Sequence, residues 1–300
     1  MELVLALLLA PLLTGVVRRT KAFVAGRRGP PLSQAYRDVW KLLHKSAVYS
    51  RTTTAVFRAG PVLGLACVGG ALALVPAGPA PALASFPGDF VLLVALLGTA
   101  RFATVLAALD TGSSFEGMGA SRELGFAVLA EPALLLVLAS LAQATGAWSL
   151  VPVLRATPEA ELGSLALLAI VGATLFGLLL VENARIPFDD PTTHLELTMV
   201  HEVMVLDHGG PDLAAIEAAA MLKLWLFAGL LAGVVLPVVA PAPLGVAVHV
   251  AGVFAVGVAV GAIEASMARL RLVRVPQILV ALVLLALLSW MLGPELAALS

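Results

Sequence analysis

Only 12% of the residues in this chain are charged, yet several of those charges sit inside apolar runs. Arg101, Glu131, Glu182, Glu217, Lys223 and Glu264 each fall within or at the end of a stretch that is otherwise almost wholly hydrophobic. An ionisable side chain at mid-bilayer costs at least about 2.5–3.5 kcal/mol on insertion scales, so each of these residues is a functional candidate by default. Buried carboxyl groups can take up and release protons near neutral pH, and a chain of them is a proton relay. Glu131 precedes Pro132, whose missing N–H is expected to loosen the helix there. Glu217 and Lys223 lie six residues apart and so do not share a helical face. The competing reading of any one of these residues is a structural pair that buries charge internally.

A second concentration of chemistry is the segment from Glu182 to His208. It carries Glu182, Arg185, Asp189, Asp190, His194, Glu196, His201, Glu202 and Asp207. Pro187 is expected to end the preceding helix. Asp190, with Pro191 after it and Thr193/Glu196 as a capping box, should start a new one. That helix is expected to carry Leu195, Leu197, Met199, Val200, Val203 and Met204 and to stop near His208-Gly209-Gly210. His194 and His201 are seven residues apart, too far for the usual i, i+4 metal pair, and no His-Glu-x-x-His motif occurs. No metal site is assigned.

The elements that must hold these groups follow from composition. Hydrophobic residues make up 60% of the 300 and mean hydropathy is +1.02. A soluble domain carries roughly 25% charged residues, so this chain cannot coat a water-facing surface. Eight runs approach the roughly 20 residues that a bilayer requires: Leu3–Val17, Ala59–Val75, Phe90–Leu109, Leu124–Ala144, Leu162–Val181, Ala215–Val235, Leu244–Ile263 and Gln277–Met291. The expected fold is therefore all-α, a single integral membrane domain over 1–300 with about eight transmembrane helices. The first run is read as a retained span, because Arg18, Arg19 and Lys21 follow it and Glu2 precedes it, the reverse of a secretory signal.

Lysine and arginine orient the spans. Fifteen of the 18 fall in the first, third, fifth and seventh connections, ten of them within 18–58. The positive-inside rule then places those connections in the cytoplasm and both termini outside. Connection 1 (18–58) is basic, and connection 5 (182–214) is long and acidic. Within the first, Tyr36, Val39, Trp40 and Leu43 recur at i, i+3, i+4, i+7, with Arg37, Asp38, Lys41, His44 and Lys45 on the other side. This is a short basic amphipathic helix at the lipid interface, either a headgroup anchor or the rim of a docking site.

Several classes are excluded. Cys67 is the single cysteine, so a disulfide framework, a cysteine-held zinc and an iron–sulfur cluster bound by this chain alone are ruled out. No nucleophile elbow, phosphate loop or dinucleotide fingerprint occurs. Nucleic acid is not an expected partner, because the basic segment lies against a membrane. A self-sufficient secondary transporter would require internal repeats or paired broken helices, and none is evident.

The motifs Glu182-x-x-Arg185-x-Pro187-Phe188-Asp189 with Glu196-Leu197, Arg28-Gly29-Pro30, Gly119-Ala120-Ser121-Arg122-Glu123 and Ala130-Glu131-Pro132 together resemble the signature of subunit 1 of respiratory NADH dehydrogenase (complex I). The resemblance extends over essentially the whole chain. Two stretches are closer to one branch, the membrane subunits of energy-converting NiFe hydrogenases, formate hydrogenlyase subunit 4 among them. They are Gly26-Arg27-Arg28-Gly29-Pro30-Pro31…Tyr36-Arg37-Asp38…Lys41-Leu42-Leu43 and Asp189-Asp190-Pro191-x-Thr193-His194-Leu195-Glu196-Leu197-Thr198-Met199-Val200-His201-Glu202. The complex I pattern has further glutamates where this chain carries Thr192 and His194, and a longer first connection.

The resemblance implies a multi-pass subunit of a prokaryotic inner (cytoplasmic) membrane without a catalytic centre of its own, which anchors a peripheral redox arm. Expected partners are a hydrogenase-like large subunit, a small subunit with an Fe–S cluster, a ferredoxin-like subunit and antiporter-like membrane subunits. NiFe and Fe–S centres would lie in those partners, with no cofactor bound here. Glu131, Glu182, Glu196 and Glu217 match acids leading from the redox interface to the polar axis of the membrane, and Glu202 belongs to the hydrogenase-like branch alone. Asp207, Lys223 and Glu264 join the expected relay on their own chemistry. Arg27, Arg28, Arg37, Asp38, Arg122, Glu123, Arg185, Asp189, Asp190, His194 and His201 form the expected subunit interface. The alternative is a subunit lining a quinone chamber in an NADH:quinone or related oxidoreductase.

Overall fold

The chain forms a bundle of helices in which eight are long and apolar enough to cross a membrane. The structure, a computed structural model, describes residues 1–155, 162–189 and 200–297. The long helices are α1 (Glu2–Val24), α3 (Ala55–Leu74), α4 (Asp89–Asp110), α5 (Ser114–Thr145), α7 (Leu162–Glu182), α9 (Gly210–Val235), α10 (Ala242–Ser266) and α11 (Val275–Ala297). Shorter ones lie between them: α2 (Gln34–Leu43), α6 (Leu150–Arg155) and α8 (His201–Met204). Each of the eight apolar runs is one long helix. Within a bilayer every backbone group must bond internally, so uninterrupted apolar sequence has little choice but helix.

The helices overrun the apolar runs where charge begins. α1 continues through Arg18, Arg19 and Lys21. α5 is 32 residues long, about 48 Å at 1.5 Å per residue, against about 30 Å of hydrocarbon. Its first turns, with Glu116, Arg122 and Glu123, therefore absorb most of the third connection. Pro132 does not break it: α5 runs through that position without interruption.

The connections sort into two ends. At one end, Asp110 accepts from Thr54 N at 2.6 Å, Arg269 pairs with Asp189 at 2.8 Å, and Leu270 N donates to the Pro187 carbonyl at 2.9 Å. These contacts join the first, third, fifth and seventh connections. At the other end, Gly88 N donates to the Trp148 carbonyl at 2.6 Å, and Arg155 donates to the Pro79 carbonyl at 2.7 Å. These contacts join the second and fourth. The start of α1 and the end of α11 lie at this second end, against α10 and α5 respectively.

α9 is the most enclosed of the spans and contacts α1, α2, α3, α7 and α10. α10 packs on α1 through the pair Gly257 and Gly261, one helical turn apart. A Cβ at Gly261 would lie 2.7 Å from the Val17 carbonyl oxygen and 2.8 Å from Thr20 Cβ. Small residues at such a seam let two backbones approach, the usual basis of helix pairing in lipid.

Two expectations need correction. α7 ends at Glu182 rather than at Pro187. Ala184 adopts a left-handed conformation (φ 47°), and Arg185 N reaches back to the Leu180 carbonyl at 2.8 Å. This is a Schellman-type stop. The helix expected to run to His208 is one turn, α8, in its described part. Its first two backbone N–H groups, at Val200 and His201, donate to Asp189 Oδ2 at 3.2 Å each. Val203, Met204 and Val205 are buried, with Met204 and Val205 against Val105, Ala108 and Ala120, which ends the turn by tertiary packing. The expected cap Asp190 lies outside the described residues, as do His194 and Glu196.

His208 follows α8 and stacks on Phe57, with ring centroids 3.9 Å apart. Burial lowers its affinity for a proton below the ordinary imidazole value, although Asp212 and Asp207 pull the other way. The native state thus favours the neutral ring, while the unfolded chain protonates near pH 6.5. Below that value the unfolded state binds more protons, so this contribution is present at neutral pH and lost as pH falls. Thermal melting in detergent should show a midpoint that drops between about pH 7.5 and about pH 5.5, and His208→Phe should remove part of that dependence. In the same assay Gly261→Leu should lower stability by about 1–3 kcal/mol through overpacking of the α1–α10 seam.

Candidate functional site

Four helices bring their charges to one point. Arg101 projects from α4 and donates through Nε to Glu123 Oε1 at 3.0 Å. Its two terminal nitrogens donate to Glu131 of α5 and to Glu182 at the end of α7. Lys223 of α9 completes the group, with Nζ 2.7 Å from Glu182 Oε2. The side chains of Arg101 and Glu182 are 5% and 2% exposed, so the planar guanidinium is enclosed by the acids it bonds. Arginine suits this place because its fork can satisfy several carboxylates at once.

Charge counting shows what the cluster can do. Three carboxylates, Glu123, Glu131 and Glu182, surround two cations, Arg101 and Lys223. With every group ionised the cluster carries one surplus negative charge.

A cavity of about 110 Å³ opens beside this group. Its walls include Arg101, Glu123, Glu182 and Lys223 on one side and Ala184, Arg185 and His201 of the fifth connection on the other. The Schellman turn at Ala184 is what folds Arg185 back to the cavity mouth. Arg185 also pairs with Glu264 of α10 at 3.3 Å, and Lys21 of α1 lies 3.6 Å from the same carboxylate. Charged side chains therefore continue from the cavity across to α10 and α1.

Glu131 lies at the opposite edge of the cluster. Its side chain is 38% exposed and faces a groove between α4 and α5 lined by Val91, Val94, Ala95, Gly98, Phe102 and Leu135. Gly98 leaves the space that the carboxylate uses, since a Cβ there would lie 3.2 Å from Glu131 Oε1.

The expected residues thus divide. Glu131, Glu182 and Lys223 converge, and Glu264 joins through Arg185. Glu123, assigned to the subunit interface by the sequence, is a member of the buried cluster. Glu217 is not brought in: it is half-buried on a face of α9 that does not line the cavity, and no described ion pair includes it. Asp207 is exposed, beside Glu116, and Glu202 is half-buried on α8. Arg27, Arg28 and Arg37 are exposed, while Asp38 lies 3.9 Å from Arg18 in a solvent-accessible pair of little energetic weight. Arg122 is half-buried on α5. Asp189 is occupied by Arg269 and the start of α8. Among the described residues no group of three or more His, Cys, Asp or Glu side chains could hold a metal.

Arg101, an intramembrane charge with no role assigned from sequence, is the hub. The signal is a lone cation in α4 that must find acids, which α5 supplies at Glu123 and Glu131 and α7 at Glu182. Removing one partner of a buried charge pair typically costs about 3–5 kcal/mol. Arg101→Gln should therefore lower the melting temperature or yield of the subunit sharply. Arg101→Gln combined with Glu182→Gln should recover part of that loss in the same measurement.

The chain is similar over most of its length to known proteins. The NADH dehydrogenase family model matches residues 1–293. Formate hydrogenlyase subunit 4 of Escherichia coli K12 is 34% identical over 285 residues, which is 90% of this chain and 89% of that protein. Hydrogenase-4 component C of the same organism is 33% identical over 244 residues, 79% of this chain and 74% of that protein. A chain of the membrane-bound sulfane sulfur reductase, an archaeal respiratory membrane complex, superposes with a TM-score of 0.82 over 97% of this chain and 96% of that one, at 19% identity. That likeness concerns the fold. A whole-length family match, two relatives above 30% identity and eight spanning helices around a buried charge cluster identify the chain as a member of the NADH dehydrogenase family of membrane subunits.

Proposed function

We propose that this subunit anchors a peripheral redox arm in a prokaryotic inner membrane and relays its electron transfer to ion movement within the membrane. The carrying observation is the Arg101 cluster, which is buried, carries one surplus negative charge and is joined by a cavity to the fifth connection. The positive-inside rule puts that connection in the cytoplasm, where the arm would dock. The exposed Arg27, Arg28 and Arg37 belong to the same end and would lie on the docking surface. The family resemblance supports an arm made of a hydrogenase-like large subunit, an Fe–S small subunit and a ferredoxin-like subunit that would hold the redox centres, and the formate hydrogenlyase and hydrogenase-4 relatives fit a multisubunit complex of that kind.

The step assigned to this chain is electrostatic. Reduction or protonation in the arm alters the charge beside Arg185, Asp189 and His201. Those residues border the cavity or the α8 cap, so the change is felt by the coupled carboxylates in a low-dielectric surrounding. A proton taken up by the cluster, which has one surplus carboxylate, redistributes among Glu182, Glu123 and Glu131. Glu131 is the exit, because it alone of the three opens sideways at the α4–α5 groove. A carboxylate facing lipid at that depth is costly, so a neighbouring membrane subunit of the antiporter-like type is expected to cover it. Glu196 and Glu202 remain candidates for the entry side.

The quinone reading has one observation in its favour, an apolar cavity of about 270 Å³ between α1, α2, α3 and α9. Its one lining hydroxyl, on Tyr36, already donates to the Leu8 carbonyl, which leaves no free hydroxyl there to grip a quinone head. Labelling of this cavity by a photoreactive quinone in the intact complex would favour that reading.

The relay is tested in membrane vesicles that contain the whole complex. Glu131→Gln should leave assembly and electron transfer intact while proton translocation falls by about 10². Glu217→Gln, outside the cluster, should retain translocation. Full translocation in Glu131→Gln and in Glu182→Gln would sink the relay.

A further inference from the structure

Away from the Arg101 cluster, at the end where the even-numbered connections gather, three side chains from three helices meet in near-complete burial. Glu2 of α1, Trp225 of α9 and His249 of α10 are 1%, 0% and 4% exposed. Trp225 Nε1 donates to Glu2 Oε1 at 2.6 Å. The other carboxylate oxygen, Oε2, faces His249 Nε2 at 3.6 Å, beyond hydrogen-bonding distance, and both atoms are buried without a partner. Gly229, one turn beyond Trp225, makes the meeting possible, since a Cβ there would lie 3.0 Å from Glu2 Oε1.

Two facing, unsatisfied, ionisable atoms are an expensive arrangement if nothing is exchanged between them. One proton placed between them neutralises or pairs the carboxylate and supplies the missing hydrogen bond. A route for that proton lies alongside. His249 lines a cavity of about 20 Å³ beneath Pro76, Gly78, Pro79 and Gly245, room for about one water. The second and sixth connections form its roof. Among the described residues the charged group at the rim is Arg155 of α6, which donates to the Pro79 carbonyl. On α9 the nearest charge is Lys223, two residues before Trp225 and about 3 Å along the axis, with its ammonium engaged by Glu182 at 2.7 Å.

We propose that Glu2, His249 and Trp225 form a second protonatable site in the half of the membrane remote from the Arg101 cluster. The site takes one proton from a water in the adjoining cavity. A proton from the bulk phase enters through the roof, is relayed by that water, which ends unchanged, and is passed to Glu2 Oε2; the new carboxylic acid then turns its O–H toward the neutral His249 Nε2. Trp225 holds Glu2 in place by its indole N–H and is a positioning residue. The site does not depend on the relay assigned to the Arg101 cluster, and its test reads a different quantity.

The test is pH-difference infrared spectroscopy on the whole complex in membranes. The intact complex should show a carboxylic-acid C=O band that rises as pH falls. Glu2→Gln should abolish that band, His249→Gln should move its titration midpoint, and Trp225→Phe should shift its frequency by removing the 2.6 Å bond. Access is measured separately in sealed vesicles of the intact complex, where the band should follow the pH of the compartment opposite the redox arm and not that of the other. A spectrum in which Glu2→Gln and Trp225→Phe, both assembled, leave every titrating carboxyl band unchanged would overturn the proposal. So would a band that follows the pH on the arm's face alone.

Discussion

A guanidinium held inside a membrane body constrains everything around it. Arg101 cannot be deprotonated at any ordinary pH, so its charge must be met where it stands. Meeting it requires three carboxylates from two other helices, Glu123 and Glu131 from α5 and Glu182 from α7, and α9 then adds Lys223. The positions of α4, α5, α7 and α9 are thereby tied to one another by chemistry as well as by apolar packing. In lipid the hydrophobic effect does little to press helices together, which gives such polar contacts and small-residue seams like Gly257/Gly261 their weight. The same constraint leaves the surplus carboxylate. Three acids are what the fork and the helix geometry accept, and two cations fall one short of neutralising them.

The elements were largely legible because each depends on local sequence alone. Eight apolar runs became eight helices, since backbone bonding inside a bilayer permits few alternatives. What could not be read locally was where helices stop beyond the apolar zone. α5 extends ten residues ahead of its run: Ser114–Glu123 has no proline, and its Gly117 and Gly119 do not stop the helix, which continues in water what the membrane began. α7 stops at Glu182 through a left-handed Ala184, a conformation that alanine gives no sign of in sequence. α8 is cut short by packing against α4 and α5, and its amide groups are met by Asp189, which the family resemblance placed at a subunit interface.

The site was legible as a list of groups and illegible as a network. Composition identifies Glu131, Glu182, Lys223 and Glu264 as costly and hence purposeful. Their pairing depends on which helices are neighbours, which no periodicity states. Glu217 shows the limit from the other side: it is a charge in the same helix as Lys223, yet a rotation of six residues turns it off the cavity face. Glu2 was invisible for a different reason. As the second residue of the chain it reads as a flanking charge, and only the return of α9 and α10 to the same depth encloses it.

α9 carries a mechanical implication. It is a rod of 26 residues that presents Lys223 to one ionic centre and, within about 9 Å along its axis, Trp225 and Gly229 to another. A stiff rod cannot pivot or slide for one of these attachments alone. Any displacement that loosens the grip of Lys223 on Glu182 also strains the indole–carboxylate contact, so the two leaflets of this subunit share a single mechanical axle.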